Sequence, residues 1–403
     1  MWRWRRRGGL RGAGLALALA GLALVGGGGW GEELVAAGLA VWRERGGGGG
    51  GGHEGLRGGA RGAGFAKGAG GAAEAGLAKG AGGADGAGLA KDAGTANAAS
   101  FASVAALAAD TDLANDPPVL LSPRGCGPTP PFLLVLVPSA PSHSARRQAI
   151  RETWGGADGR PGGLPTRTLF VLGVPTVPAE QPAVRAEARR HGDLLQGAFA
   201  DTYANLTRKT AFLLRWATRR CPAVPFILKA DDDVFVNLPA LTNYLASFRR
   251  APRLYLGRIH WWVRPQRDPR GRHHVPVAVY PAAAFPLYCS GTAYVLSGEA
   301  AAAVLAAAPR VPFVTPEDVW VGLCAQRAGL APRHSARMAG SARFPLDGCC
   351  YGEVLFSSHG LGPGELRRVW GLLQGEGGGC NALQRALGVL RCKALAVGEW
   401  LWQ

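Results

Sequence analysis

Lysine is scarce in this chain of 403 residues: it occurs only at Lys67, Lys79, Lys91, Lys209, Lys229 and Lys393, against 45 lysines and arginines together. Isoleucine is rarer still, at Ile150, Ile227 and Ile259. Excess arginine, glycine and alanine with so little of these two is the mark of GC-rich coding. It discounts the formal charge of +17 as a signal for nucleic acid. No basic run of the kind that binds nucleic acid occurs beyond the N-terminus, so no nucleic-acid partner is expected. There is no C-x-x-C pair, which removes the common zinc frameworks. Glycine does not recur at every third position, which excludes collagen. Few uncharged stretches reach ~20 residues, which argues against a membrane bundle.

The 62 glycines are concentrated before residue 116. About 280 residues remain for folding, ample for one large core. The eight cysteines, Cys126, Cys221, Cys289, Cys324, Cys349, Cys350, Cys380 and Cys392, all fall in that part. An even count there fits an oxidising compartment, and the pairing stays open. Cys349 and Cys350 are adjacent, so each is expected to have a distant partner.

Residues 1–11 carry Arg3, Arg5, Arg6, Arg7 and Arg11 and read as a cytoplasmic tail. Residues 12–31 are uncharged and about 30 Å long as a helix, enough to span a bilayer. Their strongest part, Leu15–Val25, also suits a signal peptide, but no A-x-A site follows it. An uncleaved signal-anchor in a single-pass type II protein is the expectation. Residues 32–117 hold a seven-glycine run at 46–52 and a repeat in steps of twelve residues, Gly64-Phe65-Ala66-Lys67, Gly76-Leu77-Ala78-Lys79 and Gly88-Leu89-Ala90-Lys91. One large apolar residue per repeat cannot offset the entropy of ordering, so this is a flexible Gly/Ala stem.

Residues 118–403 read as the folded domain. Phe132–Val137 is an unbroken apolar run suited to a buried parallel strand. A helix is expected over 143–154 with Ser142 or Ser144 as N-cap, a strand over Thr168–Leu172 ended by Gly173, and a mixed helical region over 179–198. A helix over Leu206–Arg220 stops before Pro222, and a strand over Phe226–Lys229 follows. Strands alternating with helices specify an α/β fold with a mostly parallel sheet. Ligands of such sheets bind beyond the carboxyl ends of the strands.

Asp231-Asp232-Asp233 stands at such an end. Three adjacent carboxylates repel unless something positive joins them, and a hard divalent cation with oxygen ligands is the natural partner. In D-x-D spacing residues i and i+2 face one side of an extended chain. Glu317-Asp318 follow Thr315-Pro316, a sequence that starts helices with Thr315 as N-cap. Spacing alone makes the two acids favourable charges at a helix start, and a general base is the competing reading. His359 becomes a metal ligand only if the fold brings it to the aspartates. Arg147 and Arg151, four apart on one helical face, suit a diphosphate clamp or a solvated face. Asn205-Leu206-Thr207 is the one N-x-[ST] sequon, a candidate glycosylation site in a lumenal chain.

These pieces occur in a specific order: Arg147-x-x-x-Arg151-x-Thr153-Trp154, Phe170-Val-Leu-Gly173, Phe199-x-Asp201-x-Tyr203-x-Asn205-Leu-Thr-x-Lys209-Thr210, then Lys229-x-Asp231-Asp-Asp-Val-Phe-Val-Asn237. Tyr255-x-Gly257-Arg258, Tyr288-x-x-Gly291-x-x-Tyr294-Val-Leu-Ser297 and Glu317-Asp318-Val-x-x-Gly322 complete it. Over about 130–395 the chain resembles the β-1,3-glycosyltransferase family of Golgi galactosyl- and N-acetylglucosaminyltransferases. Gly257–Pro265, Pro345–Gly352 and Leu387–Ala394 are most similar to its ganglioside-galactosylating branch.

The resemblance implies a GT-A-type nucleotide-sugar fold, a Golgi-membrane enzyme with a lumenal domain, Mn2+ and UDP-galactose. The implied reaction is inverting β-1,3 transfer of galactose to terminal N-acetylgalactosamine of gangliosides and related glycosphingolipids. It implies metal binding by Asp231, Asp233 and His359, and donor binding by Arg147, Arg151, Asp201, Lys209, Asp231 and Asp232. Asp318 becomes the catalytic base, which reverses the reading from spacing. Ala293 stands where glycine is expected and would tighten the space near the donor sugar. Two other functions remain open: N-acetylglucosamine transfer to galactose, and a non-catalytic, membrane-tethered glycan-binding protein. An oligomer is not indicated.

Overall fold

The computed structural model describes residues 117–156, 164–248, 253–375 and 379–401. The expected anchor and stem, except Pro117, lie outside the described residues. Among the described residues no helix is long and apolar enough to cross a membrane.

The strands are β1 (Val119–Leu121), β2 (Leu133–Pro138), β3 (Thr166–Val174), β4 (Leu194–Ala200), β5 (Phe226–Ala230), β6 (Val234–Val236), β7 (Tyr255–His260), β8 (Tyr288–Ser297), β9 (Arg333–His334) and β10 (Ser357–His359). The helices are α1 (Ser144–Glu152), α2 (Gln181–His191), α3 (Leu206–Arg220), α4 (Leu238–Ala246), α5 (Gly298–Ala307), α6 (Glu317–Arg327), α7 (Pro363–Gln374), α8 (Ala382–Leu387) and α9 (Val389–Leu401). The main sheet runs β1-β4-β3-β2-β5-β8-β7-β9, and β6 pairs with β10 in a second, small sheet.

The interior strand β2 shows why its sequence is unbroken hydrophobic. Leu133, Val135 and Val137 enter the core under α1, α4 and α7, while Leu134 and Leu136 enter the core shared with α3, α5 and α6. A strand buried on both faces has no solvent side on which to alternate. The stretch β4-β3-β2-β5 is parallel throughout, as expected. Beyond β5 the sheet is mixed: β8 runs antiparallel to both β5 and β7.

Four local expectations are corrected. The region 179–198 is not helical throughout: α2 ends on Gly192 at φ 67, and Leu194–Ala200 is strand β4. Glycine there closes a left-handed C-cap at no steric cost and frees the chain to turn into the sheet. Gly173 does not end β3, which continues to Val174. It is instead a point of close approach, since a Cβ there would lie 2.6 Å from the Phe199 carbonyl oxygen. Neither Ser142 nor Ser144 caps α1, whose N-cap is His143, and α6 begins after Pro316 rather than after Thr315.

Cys126–Cys221, Cys349–Cys380 and Cys350–Cys392 are disulfides, so Cys349 and Cys350 do have separate distant partners. Cys289 and Cys324 are buried thiols. Cys126–Cys221 spans 95 residues and holds the segment before β2 to the end of α3. Closing so long a loop removes much freedom from the unfolded chain. Cys126→Ser with Cys221→Ser is therefore expected to cost about 2–5 kcal/mol. The check is a lower midpoint in equilibrium urea unfolding.

Candidate active site

Strand β5 delivers the aspartate run to the carboxyl edge of the sheet. The Asp231 N–H donates to the Thr292 carbonyl (3.0 Å) and Val234 N–H to the Asp231 carbonyl (3.3 Å), which folds the run into a tight turn. β10 pairs antiparallel with β6, with His359 opposite Val234. That register brings His359 Nε2 to 3.5 Å from Asp233 Oδ1. Asp231, Asp233 and His359 each offer one ligand atom, and these atoms lie within 4.8 Å of one another. Two carboxylates and an imidazole, partly open to solvent, fit a divalent cation of the Mn2+ type.

Asp232 is held by a different set of partners. Its carboxylate accepts from Ser139 Oγ (2.7 Å) and Arg146 (2.9 Å) and lies 2.8 Å from His143 Nδ1. Burial raises its pKa, but the hydrogen bonds from His143 and Ser139 and the charge of Arg146 outweigh burial and hold it below the usual carboxylate range. Arg146 also lies 3.3 Å from Asp233 and so joins the two aspartates.

Behind the turn stands Lys229, almost fully buried. Its Nζ donates to Asp231 Oδ1 (2.6 Å) and to the Gly291 carbonyl, and it lies 2.8 Å from Glu317 Oε1. One ammonium therefore ties the aspartate run to the start of α6. Glu317 is buried and accepts from Thr210 Oγ1 (3.1 Å) and the Tyr294 hydroxyl (3.3 Å). Burial, with the charge of Asp318 adding and that of Lys229 opposing, pushes its pKa up to about 7. Asp318 is only partly buried. Its Oδ2 accepts from the Gly291 N–H and its Oδ1 from the Val319 N–H, each at 2.9 Å. A Cβ at position 291 would lie 2.8 Å from Glu317 Oε1, so glycine is what lets β8 pass this close to both acids.

Other expected site residues lie elsewhere or are spent. Arg147 is fully buried; its guanidinium donates to both Glu187 oxygens (2.8 and 2.7 Å), Ser139 Oγ, and the Ala140 and Pro141 carbonyls. All five N–H groups are committed, so the diphosphate clamp is corrected to an internal staple. Arg151 pairs with Asp193 (2.8 and 2.9 Å) and Glu187 (2.7 Å) in the same network. The arginine that reaches the aspartates is Arg146, one residue earlier. Its only advance signal was adjacency to Arg147.

Lys209 likewise spends its three donors, on both Asp201 oxygens (2.8 and 2.9 Å) and the Ser139 carbonyl (2.9 Å), while Asp201 also accepts from Gly173 N–H (2.6 Å). This buried pair binds together the ends of β2, β3 and β4. Asn205 is buried and donates its amide to the Ala200 carbonyl (2.8 Å), so the sequon nitrogen is not presented on the folded surface. Ala293 lies in the core opposite Ala230 and does not narrow the site.

Residues 145–336 match the family model described as Galactosyltransferase. Beta-1,3-galactosyltransferase 4 of Rattus norvegicus is 42% identical over 70% of this chain and 84% of its own length. The protein of that name from Homo sapiens is 41% identical, over 68% and 81%. The human acetylgalactosaminyl-O-glycosyl-glycoprotein beta-1,3-N-acetylglucosaminyltransferase is 39% identical, over 62% and 68%. The chain belongs to the β-1,3-glycosyltransferase family and is an enzyme of its β-1,3-galactosyltransferase group. The type 4 relatives, at 41–42% identity, agree with the branch read from the sequence.

Proposed function

We propose that this chain is an inverting, metal-dependent transferase of the GT-A type that moves galactose from UDP-galactose to position 3 of terminal N-acetylgalactosamine on gangliosides and related glycosphingolipids. The observation that carries the proposal is the pairing of Asp231, Asp233 and His359 on one side of Lys229 with Asp318 on the other. Anchored by 12–31 and spaced by the 32–117 stem, the domain works in the Golgi lumen as a type II protein.

Inversion needs one in-line displacement. The acceptor hydroxyl attacks the anomeric carbon from the face opposite UDP, the bond to the diphosphate breaks, and the hydroxyl proton passes to Asp318. Of the two adjacent acids only Asp318 is open to an acceptor; Glu317 is occupied by Thr210 and Tyr294 and lies against Lys229. Asp231, Asp233 and His359 would hold Mn2+, which supplies counter-charge to a leaving diphosphate. Arg146 adds fixed positive charge at the same edge. Asp201, Lys209 and Asp232 shape the donor end by fixing the carboxyl ends of β2 to β5. Oriented hydroxyl and donor then supply much of the rate through position alone.

The test is the purified full chain with UDP-galactose or UDP-N-acetylglucosamine and acceptors ending in N-acetylgalactosamine or galactose, lipid-linked and free. Galactose transfer to N-acetylgalactosamine is the expected product. N-acetylglucosamine transfer to galactose would make the chain a β-1,3-N-acetylglucosaminyltransferase instead. Glycan binding with no turnover would make it a tethered lectin.

A further inference from the structure

On the reading just given the acceptor is a glycan on a membrane lipid. Resting on that reading, we infer that the loop joining β7 to β8, residues 261–287, is a membrane-touching surface that seats the site on the anionic bilayer carrying the acceptor.

Large apolar side chains are exposed all along this loop: Trp261 (41%), Trp262 (81%), Val277 (59%) and Leu287 (40%). The two arms of the loop run side by side. His260 pairs with Tyr288, and the Phe285 N–H donates to the Val263 carbonyl (2.9 Å). The tryptophans on the outgoing arm and Leu287 on the returning arm therefore meet at the loop's mouth. The loop is not slack. Phe285, Val275 and Tyr288 are buried beneath it, and Arg267 donates to the carbonyls of Val275 (2.7 Å), Tyr280 (2.8 Å) and Ala282 (2.9 Å). A braced loop that turns apolar groups outward suits an apolar partner.

Trp262 sharpens the point. It is the one non-glycine among the described residues with positive φ, at 57°. That region is unfavourable for a bulky side chain, and here the strained residue holds its indole in solvent.

Charge selects the partner. The loop holds Arg264, Arg267, Arg270 and Arg272 against a single acid, Asp268. Arg267 is turned inward and Arg270 pairs with Asp268 (3.0 Å); Arg264 and Arg272 are exposed net cations, Arg272 lying over the Tyr203 ring (4.3 Å). Gangliosides are acidic glycolipids, so a bilayer that carries them presents negative charge to tryptophan and aliphatic groups flanked by arginine, the composition of an interfacial surface. Position agrees as well. From Tyr288 at the mouth to Gly291, which holds Asp318, is three residues of β8, about 10 Å of strand. A headgroup glycan rooted in the bilayer could cross that span to the base.

The experiment places the full chain in phosphatidylcholine vesicles, with and without phosphatidylserine. The acceptor is either embedded in the same vesicles or supplied as the same glycan freed from its lipid. For Trp262→Ser combined with Val277→Ser, kcat/KM on the embedded acceptor is expected to fall roughly tenfold, mainly through KM. On the free glycan it stays at the wild-type value. Phosphatidylserine should raise wild-type activity on the embedded acceptor and raise the variant's less. Equal losses on both acceptors would overturn the inference by making the tryptophans a platform for the sugar itself. No loss on either would overturn it too. A wild-type chain inactive on both acceptors would overturn the functional reading and this surface with it.

Discussion

Asp318→Asn is expected to lower turnover by at least ~10²-fold at saturating donor and acceptor, the lower range for losing a general base. The amide keeps the size of the side chain but cannot accept a proton. Its structural cost can be bounded. In the wild type the two carboxylate oxygens each accept a backbone N–H, from Gly291 and from Val319. Asparagine has one acceptor oxygen, so one N–H is left facing an NH2 group, worth about 1 kcal/mol. A small drop in melting temperature is therefore expected with donor affinity preserved, because the groups placed around the donor and metal lie on other elements. If Asp318 only opens α6, the rate stays near wild type and that small stability loss is the whole effect. Initial rates, donor affinity and melting temperature on one preparation separate the two roles.

Asp233→Ala is expected to abolish divalent-metal dependence by abolishing the activity that depends on it. It removes one of three clustered ligand atoms and leaves Asp231 and His359, too few to hold a hard cation well. The fold should survive. Arg146 keeps its 2.9 Å contact with Asp232, and one of two neighbouring carboxylates that repel in the absence of a cation is gone. A chelator should silence the wild type and added Mn2+ restore it. Mn2+ should raise the melting temperature of the wild type and not that of Asp233→Ala, since a ligand stabilises only a state that binds it. Full wild-type activity in excess chelator would defeat the metal reading.

Local chemistry was readable where one segment determines the answer. The buried run of β2 and the helix Leu206–Arg220 before Pro222 follow from side-chain periodicity and proline geometry. Gly173 and Gly192 were harder, because a glycine can end an element, cap it or permit close approach. Only Phe199 packed against Gly173 shows which applies there.

The site itself was decided by pairing between distant segments. His359 reaches Asp233 only through the β6–β10 register, and a slip of one residue would turn it to the other face. The i, i+4 spacing of Arg147 and Arg151 describes an inward and an outward face equally well. The acids on α2 and at Asp193 drew both into the interior and left Arg146, about 100° around the helix, at the aspartates. Glu317 and Asp318 are equivalent acids in the sequence. Burial against Thr210, Tyr294 and Lys229 separates them, since a carboxylate enclosed by its own partners has no room for a substrate's proton. The sequence by itself determined several of the elements, the family and the types of group that meet. The tertiary structure decided which of those groups are spent on holding the fold and which remain open to a ligand, because solvation and hydrogen-bond saturation depend on neighbours that no local spacing encodes.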